Sequence, residues 1–166
     1  MSERGEQLRV PAIRFERRLP ASIDLVWAHL TDCRNLPNWY GADATIDPHQ
    51  GGAVTLMGGH IRGVVTQFQP KQRLAYTWNV FSPGETISAY PESYLTLDLA
   101  ADANAAKLTL VHGPVLERFE NQNAMGWHVF LDMLSDAVAG RPVQPRAAYA
   151  QAAAKLYGVD LANLQT

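Results

Sequence analysis

The sequence predicts an α+β fold in which a curved antiparallel sheet of about six strands packs around a long C-terminal helix. Between residues 53 and 112, consecutive segments alternate apolar and polar residues with period two and are joined by short links. From residue 121 to 138 the apolar spacing changes to that of a helix. A single sheet must be covered on one face, and this helix is the only predicted C-terminal element long enough to do so.

One strand and two short helices are predicted before the main run of strands. Residues 10–19 alternate as a half-buried strand, which Pro20 ends. Ser22 is a suitable N-cap for the next helix, whose apolar residues recur at helical spacing. Pro37 prevents a simple continuation, so residues 32–40 are predicted to form a second short helix or a turn.

The remaining elements follow from the positions of glycine and proline. Gly58-Gly59 indicates a hairpin, and Gly140-Arg141-Pro142 ends the long helix. A further helix is predicted from Arg146 to Tyr157, with Gly158 as its C-terminal stop. The predicted strands of the sheet, after the first, are residues 53–57, 61–69, 74–80, 93–99 and 107–112.

Composition and charge exclude several classes of protein. The 166 residues, 47% hydrophobic and 18% charged, suit one globular domain. A net charge of -2 gives no general attraction to nucleic acid or to an anionic membrane. Apolar runs fall short of the roughly 20 residues of a membrane span, and no signal peptide is recognised. The single cysteine, Cys33, excludes an internal disulfide, so we expect a cytoplasmic protein. Cys33 itself is predicted to be a small structural or partly buried thiol.

Several short motifs occur in a characteristic order between residues 10 and 140. They are Val26-Trp27-Ala28-His29-Leu30-Thr31-Asp32, Trp39, Gly51-Gly52, Gly63-Val64-Val65, Pro70, Leu74-Ala75-Tyr76-Thr77-Trp78, Leu108-Thr109-Leu110-Val111-His112 and Gly126-Trp127. In this order they resemble the START/Bet v 1-like (SRPBCC) superfamily, and within it the branch named after homologues of the activator of a heat-shock-protein ATPase. The resemblance implies a helix-grip fold, with a hydrophobic cavity between the sheet and the C-terminal helix. Members include lipid and hormone carriers, polyketide cyclases and aromatases, and stress-related proteins.

The resemblance also suggests how the chain is divided. Residues 1–9 are expected to be a flexible N-terminus and residues 10–140 the helix-grip domain. Residues 141–166 lie beyond the usual end of the family and form a C-terminal extension that is predicted to be helical. This extension packs on its own domain, contacts a second subunit or is disordered; the sequence leaves these alternatives open.

Motifs of known reactions are absent from the sequence. A phosphate-binding loop, a His-Glu-x-x-His motif and a Gly-x-Ser-x-Gly motif are all missing. The glycine pairs at 51–52 and 58–59 lie at turns and lack the Lys-Ser/Thr that follows a phosphate-binding loop. The sequence therefore predicts neither a cofactor nor phosphate binding there.

Aromatic residues lie on the elements that should surround the cavity, although each of them could instead fill the core. Aromatic walls with a few polar tips are typical of sites for apolar small molecules. Of the five histidines, His112 and His128 are expected to face the cavity as polar anchors, without the third ligand that a metal site needs. The predicted ligand-binding residues are Trp39, Tyr40, Tyr76, Trp78, Phe81, Tyr94, His112, Trp127, His128 and Leu131.

The leading hypothesis from the sequence is a noncatalytic protein that binds a small hydrophobic or aromatic molecule. One alternative is a polyketide cyclase- or aromatase-like enzyme, which needs two polar groups that converge in the pocket. The polar residues that could orient a ligand, and so could serve such an enzyme, are Arg62, Glu92, Asp98, His112 and Glu117, although alternation favours the solvent face for Arg62 and Asp98. The other alternative is a co-chaperone-like or other interaction domain, including a homodimer, that uses the helix at 146–157.

Overall fold

One antiparallel sheet of seven strands forms the frame of the molecule in a computed structural model that describes residues 3–166. The strands are β1 (Ile13–Leu19), β2 (Thr45–Ile46), β3 (Ala53–Leu56), β4 (Ile61–Gln69), β5 (Arg73–Val80), β6 (Ser93–Asp102) and β7 (Ala105–Gly113). They lie in the order β1-β7-β6-β5-β4-β3-β2. Strand β1 therefore pairs with β7, the last strand of the sheet in sequence, while the remaining strands pair with their neighbours in sequence.

Within residues 3–166, four α-helices complete the fold: α1 (Ile23–Thr31), α2 (Pro37–Tyr40), α3 (Glu120–Val138) and α4 (Arg146–Tyr157). Helices α1 and α2 follow β1, α3 packs on the sheet, and α4 packs on α3. One-turn 3-10 helices precede β4 and α3, at Met57–Gly59 and Glu117–Phe119.

The predicted α+β architecture is confirmed: an antiparallel sheet, two short helices after the first strand and a long C-terminal helix. The sheet has one more strand than the approximate number predicted, because β2 contains only Thr45 and Ile46. Two residues are too few to produce a period-two pattern. The first strand begins at Ile13 rather than at residue 10.

Local interactions of side chains join α1 to α2. The Ser22 hydroxyl accepts a hydrogen bond from the Leu25 backbone N–H at 3.3 Å, which caps α1 as predicted. Near the other end of α1, the Trp39 indole Nε1 donates to the carbonyl oxygen of His29 at 2.8 Å. This bond holds α2 against α1, so the aromatic residues at the end of α2 have a fixed position.

Gly63 marks the closest approach of β4 to β5. A Cβ atom at this position would lie 1.8 Å from the carbonyl oxygen of Thr77, so only glycine fits. The next residue, Val64, donates its backbone N–H to the Thr77 hydroxyl at 2.9 Å. The register of the two strands then shifts between Val65 and Gln67. Such a β-bulge increases the local bend and twist of a sheet.

The C-terminal extension packs on its own domain. The Tyr149 hydroxyl donates to Asp136 Oδ2 at 2.7 Å, and the Tyr157 hydroxyl donates to His128 Nδ1 at 2.9 Å. Between these two tyrosines, Ala153 is buried against α3. Of the three alternatives left open by the sequence, packing on the same chain is therefore the one observed.

Other expectations concern the N-terminus, the cysteine and membrane spans. The predicted flexible N-terminus, residues 1–9, lies partly outside the described residues and stays a prediction. Cys33 is exposed, in contrast to the expected partly buried thiol, because it lies in the loop between α1 and α2. Within residues 3–166, none of the helices has both the length and the apolar character needed to cross a membrane.

Candidate functional site

A cluster of aromatic rings fills the space between the sheet and α3. The stacked rings of Trp39 and Tyr40 have centroids 3.8 Å apart. A second ring pair joins the sheet to α3: the ring centroids of Trp78 on β5 and Trp127 on α3 are 5.0 Å apart. We call this set the aromatic cluster; its members are Trp39, Tyr40, Tyr76, Trp78, His112, Trp127 and Phe130.

Strand register brings the sheet members of the cluster together. Tyr76 on β5 lies opposite Leu95 on β6, and Leu95 lies opposite His112 on β7. Trp78 lies opposite Ser93, one step along the same face. The row is buried because α3 lies across it, with the predicted apolar stripe of that helix facing the sheet.

A relay of hydrogen bonds crosses the cluster from α3 to β5. The Trp127 Nε1–H donates to His112 Nδ1 at 2.9 Å, so Nδ1 carries no hydrogen and acts as an acceptor. The hydrogen of the neutral ring is then on Nε2, which donates to the Ser93 Oγ at 2.8 Å. Ser93 in turn donates to the Trp78 carbonyl oxygen at 3.3 Å. All three bonds run in one direction, which fixes the tautomer of His112.

Burial keeps the imidazole of His112 neutral. Its side chain is 2% exposed, and this desolvation lowers the pKa of His112 to about 4. Protonation of Nδ1 would also place two donors, Nδ1–H and the Trp127 Nε1–H, against each other. Both ring nitrogens are engaged, so the arrangement suits a fixed polar anchor better than a base that removes a proton.

Two tyrosine hydroxyls meet deeper in the cluster. The Tyr40 and Tyr76 oxygens are 2.6 Å apart, and both side chains are fully buried. Burial raises the pKa of each phenol, so both stay protonated. One hydroxyl donates to the other, and within residues 3–166 neither has a further hydrogen-bond partner. One hydroxyl hydrogen is therefore left without an acceptor.

The structure does not bring three of the predicted site residues into the cluster. Tyr94 is 51% exposed on the opposite face of the sheet, because it alternates with the buried Ser93 and Leu95. His128 lies on another side of α3, where it contacts Tyr157 instead of facing the cluster with its neighbour in sequence. Phe81 lies beyond the end of β5, with the Arg62 guanidinium carbon 3.7 Å from its ring centroid.

Leu131, the last predicted site residue, is buried in the hydrophobic core. Sequence reasoning missed Ser93 and Phe130. The position of Ser93, in period two with Leu95 and Leu97, was a signal for a polar residue on the buried face. Phe130 lies at the edge of the predicted apolar stripe of α3, and its ring centroid is 5.2 Å from that of Tyr40.

Polar residues proposed for an enzyme do not converge with the cluster. Asp98 accepts from Arg73 at 2.6 Å, and Glu92 accepts from Asn79 at 2.9 Å; both pairs are at the exposed side of the sheet. Glu117 is exposed in the 3-10 helix before α3. Besides those of the relay and of the two tyrosines, the polar side-chain atoms of the cluster are the indole Nε1 of Trp39, which donates to the His29 carbonyl oxygen, and the indole Nε1 of Trp78.

Two of the clefts at the surface of residues 3–166 lie apart from the aromatic cluster. The first has a volume of about 390 Å³ and lies between residues 57–62 and 81–84. The second, of about 450 Å³, lies at the C-terminal end of α4 and is lined by residues between 151 and 161.

Comparison with known proteins supports the fold. The model of the Activator of Hsp90 ATPase homolog 1-like protein family matches residues 20–139. The crystal structure of CalU16 from Micromonospora echinospora has 24% sequence identity and a TM-score of 0.69, covering 89% of this chain and 86% of that chain. PFC0360w, an Hsp90 activator from Plasmodium falciparum, has 20% identity and a TM-score of 0.65, covering 79% and 97%.

A third similar structure is described as an Aha1 dimer. This protein from Colwellia psychrerythraea has 20% identity and a TM-score of 0.64, covering 77% of this chain and 96% of its own. A search of curated proteins finds no significant match. At these identities the solved structures establish the fold alone. The family model confirms the predicted resemblance to the branch of heat-shock-protein ATPase activator homologues. Since the family model spans most of the sheet, α1, α2 and α3, the chain belongs to the family of Activator of Hsp90 ATPase homolog 1-like proteins.

Proposed function

We propose that this protein binds a small apolar or amphipathic molecule at the aromatic cluster, between the sheet and α3. The observation that carries the proposal is the unused hydroxyl hydrogen of the Tyr40–Tyr76 pair, which is buried among aromatic rings. Aromatic walls with a few polar groups that converge are typical of sites for small molecules.

The energetic cost of the buried polar groups supports a role beyond core packing. A buried polar group without a hydrogen-bond partner costs about 1–3 kcal/mol, and the hydroxyl hydrogen that has no acceptor carries part of this cost. Phenylalanine at Tyr40 and Tyr76 would fill the same space without this cost. A bound molecule with an oxygen acceptor would take the spare hydrogen and offset the cost.

Access to the tyrosine pair requires movement at the rim of the cluster. Trp78 is 8% exposed, whereas Tyr40 and Tyr76 are completely buried, so the Trp78 indole lies nearest to solvent among these three. Rotation of this indole would open a space beside the tyrosines without breaking the relay, which uses only the Trp78 backbone carbonyl. The apolar surfaces of the displaced indole ring and of the ligand would then be buried against each other. This burial stabilises the complex by about 25 cal/mol per Å² of apolar surface, before the entropic cost of ordering the ligand and the side chains is subtracted.

Removal of the Tyr76 hydroxyl group tests the proposal. We expect the wild-type protein to bind 2-naphthol, an aromatic probe with one hydroxyl oxygen, and the Tyr76→Phe variant to bind it about tenfold more weakly because one hydrogen bond is lost. Isothermal titration calorimetry measures both affinities. Tyr94→Phe is the matched control, since it removes the same atom from the exposed face of the sheet. Equal affinities for Tyr76→Phe and wild type, or no heat of binding to the wild type, would contradict the proposal.

Self-association is a second candidate function. The Colwellia neighbour is described as a dimer, and the C-terminal extension of this chain leaves apolar side chains exposed after packing on α3. Leu156 on α4 is 66% exposed, and Leu161 and Leu164 follow it at 41% and 47%. An exposed apolar patch of this kind is typical of a contact with another protein surface.

Light scattering after size-exclusion chromatography tests this second candidate. We expect a mass about twice the 18.3 kDa of one chain, and the mass of one chain for Leu156→Glu, because a buried carboxylate without a partner disfavours the contact. Leu25→Glu on α1, which is 42% exposed and far from α4 in sequence, is the control and should leave the dimer intact. A wild-type protein with the mass of one chain would rule out this candidate.

A further inference from the structure

The surface cleft beside β4 contains an arginine that is held rigidly without an acidic partner. Arg62 Nε donates to the Gly59 carbonyl oxygen at 3.2 Å, and Nη2 donates to the Glu85 carbonyl oxygen at 3.0 Å. The guanidinium also lies over the Phe81 ring, at 3.7 Å from its centroid. Within residues 3–166, no carboxylate comes within 4.0 Å of its nitrogens.

The free hydrogens of Arg62 are the donors that a ligand can use. Nη1 has no hydrogen-bond partner among the described residues, and Nη2 uses one of its two hydrogens. The two Nη atoms form one edge of a planar fork, which matches the two oxygens of a carboxylate. Ordering a free arginine side chain costs conformational entropy. In this structure the two carbonyl oxygens and the Phe81 ring already hold the Arg62 side chain, so binding of a ligand costs less conformational entropy.

The charge of the cleft favours a single carboxylate. Among its lining residues, Arg62 is the single arginine or lysine. A nucleotide or another polyphosphate carries several negative charges and is normally held by several cations or a metal ion. One fixed guanidinium balances one negative charge.

The rest of the cleft offers apolar contact and one more donor. Met57, Phe81 and Pro83 line it, and its volume of about 390 Å³ is at the small end of the usual range for ligand sites. Ser82 also lines the cleft, and its hydroxyl makes no hydrogen bond with another described residue. Gly58, Gly59 and Gly84 have no atom within 4 Å of a Cβ placed on them, so the space beside them is open.

The floor of the cleft is held by hydrogen bonds between His60 and Phe81. The Phe81 N–H donates to the His60 carbonyl oxygen at 2.8 Å, and His60 Nδ1–H donates to the Phe81 carbonyl oxygen at 2.8 Å. This pair fixes the position of the Phe81 ring, which in turn supports the guanidinium. The donors are therefore preorganised on the ends of two paired strands rather than on a free loop.

We propose that this cleft binds the carboxylate of a small organic acid, with Arg62 as the carboxylate-binding residue and Met57, Phe81 and Pro83 in contact with its apolar part. The site is separate from the aromatic cluster, so it does not depend on ligand binding there. The acid is defined here by its chemistry: one carboxylate attached to a small apolar or aromatic group.

NMR titration with benzoate tests the proposal. We expect benzoate to shift the backbone amide signals of residues 57–62 and 81–85 in the 15N-labelled protein, with the glycine amides as reporters. Benzamide, which has the same ring but no charge, should bind at least about tenfold more weakly because it lacks the charge-assisted pair. The variant Arg62→Gln should weaken benzoate binding by a similar factor.

A second arginine supplies the matched control. Arg118 also lies over a phenylalanine ring, with its guanidinium carbon 4.7 Å from the centroid of Phe119, but it is outside the cleft. Arg118→Gln should leave the benzoate affinity unchanged, and Arg62→Gln should leave 2-naphthol binding unchanged. The proposal is wrong if benzoate shifts no cleft amide at millimolar concentration, if Arg62→Gln binds benzoate as the wild type does, or if benzamide binds equally well.

Discussion

Replacement of Trp39 by alanine is expected to lower the free energy of unfolding by about 3–5 kcal/mol. The side chain is 1% exposed and its ring is stacked on Tyr40, at 3.8 Å between centroids, so truncation leaves a cavity that the surrounding rings cannot close. Truncation also removes the hydrogen bond from Nε1 to the carbonyl oxygen of His29, which joins α2 to α1. A loss of this size is a large fraction of the stability of a typical domain.

Urea denaturation followed by circular dichroism measures this change, and two further variants separate its causes. Trp39→Phe keeps most of the ring contact and loses the hydrogen bond, so its expected cost is smaller, about 1–2 kcal/mol. Tyr94→Ala truncates an aromatic residue that is 51% exposed, and we expect it to cost less than Trp39→Ala. If Trp39→Ala costs no more than Tyr94→Ala, the aromatic cluster does not stabilise the fold as described.

The stability of the protein should fall by about 3 kcal/mol as the pH is lowered through the range in which His112 titrates. Burial lowers the pKa of His112 to about 4, from an ordinary value of 6.5 in the unfolded chain. Between these two values the unfolded state binds more protons than the folded state, so the free energy of unfolding decreases as the pH falls. The contribution of the neutral His112 side chain to stability is complete above pH 6.5 and is lost as the pH falls to about 4.

His112→Gln isolates this effect, since glutamine is neutral at every pH and retains a donor and an acceptor. Urea denaturation should show that the free energy of unfolding of the wild type is about 2–3 kcal/mol lower at about pH 4.5 than at about pH 7. The variant should not show this difference. His60→Gln is the control, because His60 is exposed and outside the relay. An equal loss in wild type and His112→Gln would contradict the buried neutral imidazole.

Two other groups with a shifted pKa, Asp32 and His49, differ from His112 in the pH range or in the direction of their effect. The hydrogen bonds from Arg34 hold the pKa of Asp32 at about 2, so the stability contributed by Asp32 is lost below pH 3.8, outside the window of His112. Hydrogen bonds to the Gln50 carbonyl and to Asp47 raise the pKa of His49, so its contribution is lost as the pH rises. The effect of His49 on the pH dependence of stability is therefore opposite to that of His112. Asp32 and His49 are both unchanged in the His112→Gln variant, so they contribute equally to the two proteins.

The sequence by itself determined the order and type of most elements. Period-two alternation identified the strands and helical spacing identified α3, because these periods reflect the local geometry of each element and need no knowledge of its neighbours. The Ser22 cap and the glycine at the end of α4 were also predicted correctly, since both act within one turn of chain. Strand β2 was missed because two residues contain no period.

Only the tertiary structure decided which polar atoms meet. Ser93, His112 and Trp127 are at the start of β6, near the end of β7 and within α3, and their hydrogen bonds require a particular register and a particular position of the helix. Tyr94 is a different case. We predicted both Tyr76 and Tyr94 as site residues, but Tyr94 alternates with Leu95 along β6, so the sequence pattern itself indicated the other face of the sheet, where the structure places it. Periodicity determines which residues are buried, whereas contacts between distant segments depend on how the elements pack.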